Sequence, residues 1–226
     1  MTPLGWPNPL PGGASAEEYA IAFDRGRERR LLIVPALFDE ANRMRRFSLE
    51  VMRRLDASGI DSVLPDLPGT NESLEQLETQ SIGSWCSAVA AAVQFFGATH
   101  VLAIRGGCLL MPQGVPGWLY APAKGGSILR QMLRARSLAS REAGREESRE
   151  GLTTLALTDG IELAGYRIGP QLFVDLEHAE APEREGLTLV EQGLVGGAGL
   201  WLRAEPGESR EQADALAAVL AIGMQS

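Results

Sequence analysis

The sequence has few of the side chains that form disulfides and transition-metal sites. Its 226 residues include two cysteines, Cys86 and Cys108, and two histidines, His100 and His178. Two cysteines in a chain of this length give no disulfide framework, so we expect two reduced, buried thiols in a cytoplasmic protein. We also expect no metal site and no cofactor.

Long apolar runs and a surplus of positive charge are missing as well. No run of about 18 apolar residues is present that would span a bilayer. The first 14 residues are rich in proline and glycine and lack a charged segment followed by an apolar one, so they do not resemble a signal peptide. The formal net charge of −8 argues against non-specific binding to nucleic acid, and we expect no nucleic-acid partner.

Positive charge is nevertheless concentrated in three stretches, residues 25–30, 43–54 and 130–149. Their arginines alternate with acidic residues or stand at helical spacing. Solvent-exposed helix faces therefore explain these stretches more simply than a binding patch does.

The overall composition is that of a globular protein, with 45% hydrophobic and 22% charged residues. At this length we expect a single domain over residues 1–226. Within it, residues 1–15 are predicted to form an irregular N-terminal arm. Residues 140–150 have no apolar face and are predicted to form a mobile connection or an exposed helical turn. The sequence does not decide the oligomeric state and leaves a homodimer open.

Strand-like and helix-like patterns alternate between residues 31 and 110. The apolar runs 31–37, 60–64 and 101–104 indicate buried strands, whereas residues 42–58 and 81–96 carry apolar side chains at helical spacing. This alternation predicts an α/β fold, a three-layer α/β/α sandwich with a mostly parallel sheet. Residues 19–24 are predicted to form an edge hairpin with the strand at 31–37.

The pattern is weaker beyond residue 110. It predicts strands at 118–121, 161–166 and 187–190, a last strand at 199–204, and helices at 127–139, 170–176 and 208–222. The strand at 101–104 is followed at once by Arg105, Gly106 and Gly107. Glycine tolerates the tight backbone of a strand that turns sharply into a helix, so we expect such a turn here.

This turn resembles the nucleophile elbow of α/β-hydrolases, whose motif is G-x-S-x-G. If Gly107 is aligned with the last glycine, Arg105 stands where the serine belongs. Arginine stays protonated and has no lone pair with which to attack a substrate. Two further stretches resemble the superfamily: residues 31–37 (LLIVPAL) match the strand before the oxyanion loop, and residues 65–73 (PDLPGTNES) match its D-x-P-G-x-G-x-S turn, with Asn71 at the second glycine.

More narrowly, the chain resembles the second type of exosortase A system-associated hydrolase. Residues 38–46 (FDEANRMRR) are similar to that type's F-A-E-E-M-N-K-S-R-R, and the resemblance extends to residues 104–107 (IRGG), 125–129 (GGSIL) and 161–168 (IELAGYRI). Proteins of this type are encoded beside exopolysaccharide and protein-sorting genes of Gram-negative bacteria and tend to carry arginine at the serine position. The resemblance implies an α/β-hydrolase-like fold and a role in envelope polysaccharide synthesis.

The catalytic triad of this fold also needs a histidine base and an acid that orients it. His100 precedes the strand of the elbow and is expected at the opposite edge of the sheet, and His178 stands among acidic residues well before the predicted last strand. Residues 205–208, after that strand, contain no histidine. Cys108 is the remaining candidate nucleophile, because a helix N-terminus lowers the pKa of a thiol, but a small buried hydrophobic side chain is the simpler interpretation.

Arg105 is the more informative residue. At the carboxyl ends of the strands, together with the free backbone N–H groups near Gly106, it would suit a carboxylate or phosphate. Glu40, Asn42 and Arg45 are expected to line the same mouth. The alternative is that Glu40 or Asp66 neutralises Arg105 internally.

Three functions follow from these observations. The first is a binding or accessory protein for an anionic or acyl-carrying small molecule, with a degenerate triad. The second is an active, atypical ester or thioester hydrolase that uses Cys108 or a displaced nucleophile. The third is a structural partner protein, which would present an exposed apolar patch.

Overall fold

Nine strands occur in the computed structural model, which describes residues 1–10, 13–145 and 147–225. They are β1 (Thr2–Pro9), β2 (Ser15–Phe23), β3 (Arg30–Val34), β4 (Asp61–Pro65), β5 (His100–Ile104), β6 (Gly117–Tyr120), β7 (Ile161–Leu163), β8 (Tyr166–Ile168) and β9 (Leu187–Val190). Seven of them form one sheet in the order β1-β2-β4-β3-β5-β6-β9. The first two pairings are antiparallel, and every pairing from β4 to β9 is parallel.

The helices cover both faces of this sheet. They are α1 (Asp39–Ala57), α2 (Ile82–Phe96), α3 (Gly125–Glu142), α4 (Arg149–Thr158), α5 (Pro170–His178), α6 (Gln192–Val195) and α7 (Arg210–Gly223). Short 3₁₀ helices lie at Leu77–Thr79, Arg105–Leu110 and Leu200–Leu202. Within the described ranges, none of the helices combines the length and the apolar character that crossing a membrane requires.

Each face of the sheet buries its own hydrophobic core. Along β3, Leu31 and Ile33 belong to one core and Leu32 and Val34 to the other, as the two-residue period of a strand requires. Helices α1 and α7 cover the first face, whereas α2, α3 and α5 cover the second. The three-layer sandwich with a mostly parallel sheet is therefore confirmed.

Helix α2 shows how the local sequence sets the bounds of an element. The Ser81 hydroxyl accepts a hydrogen bond from the Ser84 N–H, and the Ser84 hydroxyl accepts one from the Ser81 N–H, both at 2.9 Å. This capping box satisfies two amide groups that the first helical turn leaves free. The helix ends at Gly97, whose φ of +59° is the left-handed conformation that glycine adopts without strain.

The N-terminal segment is not the irregular arm that its proline and glycine content predicted. Thr2–Pro9 is an edge strand that pairs with β2 along its whole length, and the side chain of Trp6 in this strand is buried. Prolines are tolerated there because one side of an edge strand makes no ladder hydrogen bonds. The predicted edge hairpin is also wrong, since β4 lies between β2 and β3 in the sheet.

The C-terminal half departs from the prediction in two places. Residues 199–204 are not a strand: Leu200–Leu202 form a 3₁₀ turn that buries Leu200 and Trp201, so the last strand of the sheet is β9. Residues 161–166 belong to two strands, β7 and β8, which form a separate hairpin around Ala164 and Gly165.

The predicted connection at 140–150 is partly helical. Its first residues complete α3, and its last two begin α4. Glu147 lies between the two helices; Arg136 of α3 donates to both of its carboxylate oxygens, at 2.6 and 3.1 Å, and the Ser140 hydroxyl donates to the same carboxylate. Residue 146 lies outside the described residues.

Candidate functional site

The turn after β5 has the strained backbone that an elbow requires. Arg105 follows Ile104 directly and has a φ of +53°, a backbone conformation that residues other than glycine seldom adopt. At Gly107 a β-carbon would collide with the carbonyl oxygen of Pro35, so only glycine fits. The chain then continues as a helix, as expected, but this helix is a 3₁₀ helix of six residues, Arg105–Leu110.

Arg105 is held by three separate contacts. Its Nε and Nη2 donate to Oε2 and Oε1 of Glu40 at 3.0 and 3.1 Å, a two-point ion pair. Its Nη1 donates to the carbonyl oxygen of Ala121 at 2.6 Å, and its guanidinium carbon lies 4.1 Å from the centroid of the Trp201 ring. The side chains of Arg105 and Glu40 are only 17% and 14% exposed, so the pair is largely shielded from water.

Of the two internal partners considered for Arg105, the structure brings Glu40 to it and places Asp66 in a different ion pair. Arg45 donates to Oδ1 of Asp66 at 3.0 Å, and Asn71 donates to the same oxygen at 2.8 Å. The Asn42 amide donates to the Tyr166 hydroxyl at 3.3 Å.

Of the residues expected to line the mouth, Glu40 is hydrogen-bonded to Arg105, whereas Asn42 and Arg45 have the other partners just described. Gly106 is buried in the turn itself, and a β-carbon there would press on Leu37 and Ile128.

Glu18, like Asp66, is a buried carboxyl group, and the two lie close enough to affect one another. The Ser73 hydroxyl donates to its Oε1 at 3.0 Å, while Oε2 has no partner among the described residues. Burial raises the pKa of Glu18, an effect that the hydrogen bond from Ser73 opposes and the neighbouring carboxylates Glu75 and Asp66 reinforce. No group of three or more histidine, cysteine or acidic side chains suited to a metal ion occurs in the described ranges.

Cys108 is the least accessible of the candidate residues. Its side chain is fully buried, and the thiol donates to the carbonyl oxygen of Ala103 at 3.2 Å. Burial raises the pKa of this thiol to about 12, although the nearby Arg105 acts in the opposite direction. The group is therefore protonated at neutral pH, whereas thiol nucleophiles act as thiolates.

Neither imidazole forms a described hydrogen bond with the turn after β5. His100 lies at the first residue of β5, level with Leu31 and therefore at the amino-terminal edge of the parallel strands, where it stacks on Trp118 with ring centroids 5.6 Å apart. His178 ends α5 with its side chain exposed. No described hydrogen bond joins either imidazole to Arg105 or Cys108.

A pocket of about 140 Å³ opens beside Glu40, between α1 and α3. Apolar side chains form much of its wall, and its polar lining residues are Asp39, Glu40, Arg43 and Gln131; the larger apolar ones are Leu37, Phe38, Ile128 and Met132. Arg43 donates to the carbonyl oxygen of Trp201 at 3.0 Å and lies 3.8 Å from Asp39.

Sequence reasoning missed two parts of this site, Trp201 and the wall from α3. Trp201 was assigned to a strand that does not exist, and its stacking on Arg105 joins residues 96 positions apart, for which the sequence holds no local signal. The helical spacing of Ile128 and Met132 did predict that both lie on one apolar face, but not that this face meets Glu40.

No family model matches the sequence, and a search of curated proteins finds no match either. The structure is similar to that of a putative hydrolase from Agrobacterium vitis S4, with a TM-score of 0.53 and 14% identity over 100% of this chain and 99% of that one. It is also similar to the ferulic acid-bound Est1E of Butyrivibrio proteoclasticus, with a TM-score of 0.52 and 14% identity over 76% and 70% of the two chains. At such identities the likeness concerns the fold alone. The chain has the α/β-hydrolase fold.

Proposed function

We propose that this protein binds an acyl-carrying small molecule at the Glu40 pocket and does not hydrolyse it. In this proposal it is a binding or accessory protein of the exosortase A system-associated type, with a degenerate triad. The observation that carries the proposal is the state of Arg105, which follows β5 directly and has its guanidinium engaged by Glu40, Ala121 and Trp201.

The chemistry of the described residues supports binding over hydrolysis. A triad needs a nucleophile hydrogen-bonded to a base, and the base oriented by an acid. Here the arginine after β5 cannot attack, and the thiol of Cys108, in the same turn, is buried and protonated. Both carboxylate oxygens of Glu40, which lies beside the turn, accept hydrogen bonds from Arg105.

The pocket favours a ligand with a short apolar chain and a polar end. Its volume of about 140 Å³ is close to that of an apolar cavity of about 150 Å³ that accepts benzene in another protein. Leu37, Ile128 and Met132 would pack against the chain, and Arg43 would bind a carboxylate or carbonyl oxygen. Arg43 suits that role because its ion pair with Asp39 is long, at 3.8 Å.

Two measurements on the full chain test the proposal. The first is turnover of p-nitrophenyl esters and thioesters of short and medium acyl chains, by the wild type, Arg105→Ser and Cys108→Ala. We expect no saturable turnover in any of them, because restoring a serine does not supply a base. Saturable turnover that Cys108→Ala abolishes would establish the hydrolase alternative, and turnover that survives it would place a nucleophile elsewhere.

The second measurement is calorimetric binding of hexanoate and of a hexanoyl thioester. We expect saturable binding that Arg43→Gln weakens about tenfold, the equivalent of one hydrogen bond to a charged group. Arg53→Gln is the matched control, since Arg53 lies on the same helix but does not line the pocket. Absence of binding, or equal loss in both variants, would refute the pocket as the site.

A further inference from the structure

Helix α3 separates the Glu40 pocket from a second and larger cavity. On its other side, α3 and α4 enclose a groove of about 350 Å³, which we call the α3–α4 groove. It is lined by four arginines and by Leu133, Ser137, Leu138 and Leu152; the arginines are Arg130, Arg134, Arg141 and Arg149. This volume falls within the roughly 300–1,000 Å³ of ordinary ligand sites.

The arginines of the groove are not neutralised by the part of the chain that the structure describes. None of the four forms an ion pair there, and the one side-chain hydrogen bond among them runs from Arg130 to the Ser127 hydroxyl at 2.7 Å. Arg136, on the same helix but outside the groove, is paired with Glu147. In a chain of net charge −8, four guanidinium groups without a described ion-pair partner therefore line one groove.

This concentration of like charge is unfavourable for the stability of the fold. Arg130 and Arg134 are four residues apart on α3, a spacing at which like charges repel on a helix surface. An anion in the groove would relieve that repulsion. Arginine is also the side chain whose planar fork matches the oxygens of a phosphate.

The floor of the groove differs from its rim. Leu133 and Leu152 form it and are 9% and 3% exposed, whereas Leu138 at its edge is 59% exposed. An exposed leucine at the edge of a groove lined by arginines suits an apolar chain attached to the anion, because the chain would cover Leu138 while the head group meets the guanidinium groups.

The groove is also held in place before any ligand arrives. The two hydrogen bonds from Arg136 to Glu147 join α3 to the segment that precedes α4, and the Ser148 hydroxyl caps α4 by accepting from the Gly151 N–H at 3.0 Å. Arg136 and the Ser140 hydroxyl together lower the pKa of Glu147 to about 2, so this clamp stays charged at physiological pH.

We propose that the α3–α4 groove binds a soluble anionic amphiphile, with a phosphate head group at the four arginines and an apolar chain along the leucine floor. This site is independent of the Glu40 pocket, since it uses the opposite side of α3 and none of the residues around Arg105. The proposal therefore does not depend on whether the pocket binds an acyl group.

The test is calorimetric titration of the full chain with decyl phosphate below its micelle concentration. We expect saturable binding that the double variant Arg134→Gln/Arg141→Gln weakens about a hundredfold, at roughly tenfold for each charged hydrogen bond lost. The matched control is Arg29→Gln/Arg210→Gln, which removes the same charge at two exposed arginines outside the groove and should bind like the wild type.

Three further probes separate the contributions of the head-group charge, of the apolar chain and of a membrane surface to binding. Decyltrimethylammonium has the same chain with the opposite charge and should not bind, and inorganic phosphate should bind at least tenfold more weakly than decyl phosphate. Vesicles of neutral lipid with an added anionic lipid test the alternative of a membrane surface.

The proposal is overturned if decyl phosphate does not bind, or if the groove variant and the control lose affinity equally. It is also overturned if only vesicles bind, or if decyltrimethylammonium binds as tightly as decyl phosphate. Melting temperatures of both double variants should lie within a few degrees of the wild type, which shows that the substitutions leave the fold intact.

Discussion

The ion pair at the elbow makes a quantitative prediction about stability. Arg105→Met removes both hydrogen bonds to Glu40 and leaves that carboxylate 86% buried without a described partner. Breaking a buried ion pair from one side costs about 3–5 kcal/mol, and we expect about 3 kcal/mol because both side chains keep some contact with water. For a chain of this size that corresponds to a melting temperature lower by roughly 6–12 °C.

A double-mutant cycle separates the pair from the other contacts of Arg105. Glu40→Gln should cost less, about 1.5 kcal/mol, because the guanidinium keeps the Ala121 carbonyl and the Trp201 ring. The double variant should then cost about 1–2 kcal/mol less than the sum of the two single changes. Urea unfolding followed by circular dichroism measures all three free energies of unfolding.

The control is the exposed ion pair between Arg46 and Glu208, whose side chains are 60% and 40% exposed. Its removal should change the free energy of unfolding by roughly 0–1 kcal/mol, as surface pairs do. Additivity in the Arg105 cycle, with a coupling below about 0.5 kcal/mol, would refute the reasoning. It would mean that Arg105 is not committed to Glu40 and is available to a ligand.

Three other predictions concern buried groups around the site. Gly107→Ala should lower the free energy of unfolding by more than about 2 kcal/mol, because its β-carbon meets a backbone carbonyl, whereas Gly193→Ala meets nothing and should be nearly neutral. Cys108 should resist iodoacetamide at pH 8 in the folded protein and react once urea unfolds it, since its thiol is buried with a pKa of about 12. Glu18→Gln should raise the melting temperature by a few degrees at pH 8 and have a smaller effect near pH 4, as the raised pKa of Glu18 implies.

The sign of the Glu18 effect follows from linkage. The pKa of Glu18 is higher in the folded state than in the unfolded state, so the folded state binds the proton more tightly. The stabilisation that this proton provides is therefore complete below the unfolded pKa and is lost as the pH rises through the folded pKa. A stabilisation by Glu18→Gln that was larger at pH 4 than at pH 8 would contradict the burial argument. Equal losses of unfolding free energy in Gly107→Ala and Gly193→Ala would contradict the prediction for Gly107. Rapid alkylation of Cys108 in the native protein would contradict the prediction for that thiol.

The sequence by itself determined the architecture between residues 31 and 110. Continuous apolar runs and helical spacings are local signals, and here each run is buried on both faces and each helix has one apolar face, so the α/β alternation and the parallel strands followed directly. It also placed Arg105, rather than a serine, at the residue that follows β5 directly, because that conclusion needs only the order of residues before Gly107.

The tertiary structure decided which partners those residues meet. The pairing of β1 with β2, the insertion of β4 between β2 and β3, and the absence of a strand at 199–204 all depend on contacts between distant segments. The same holds for the choice between Glu40 and Asp66 as the partner of Arg105, and for Trp201 on its guanidinium. Local patterns report which side chains will be buried, whereas ion pairs depend on distances of a few ångströms that the packing of the whole sheet sets.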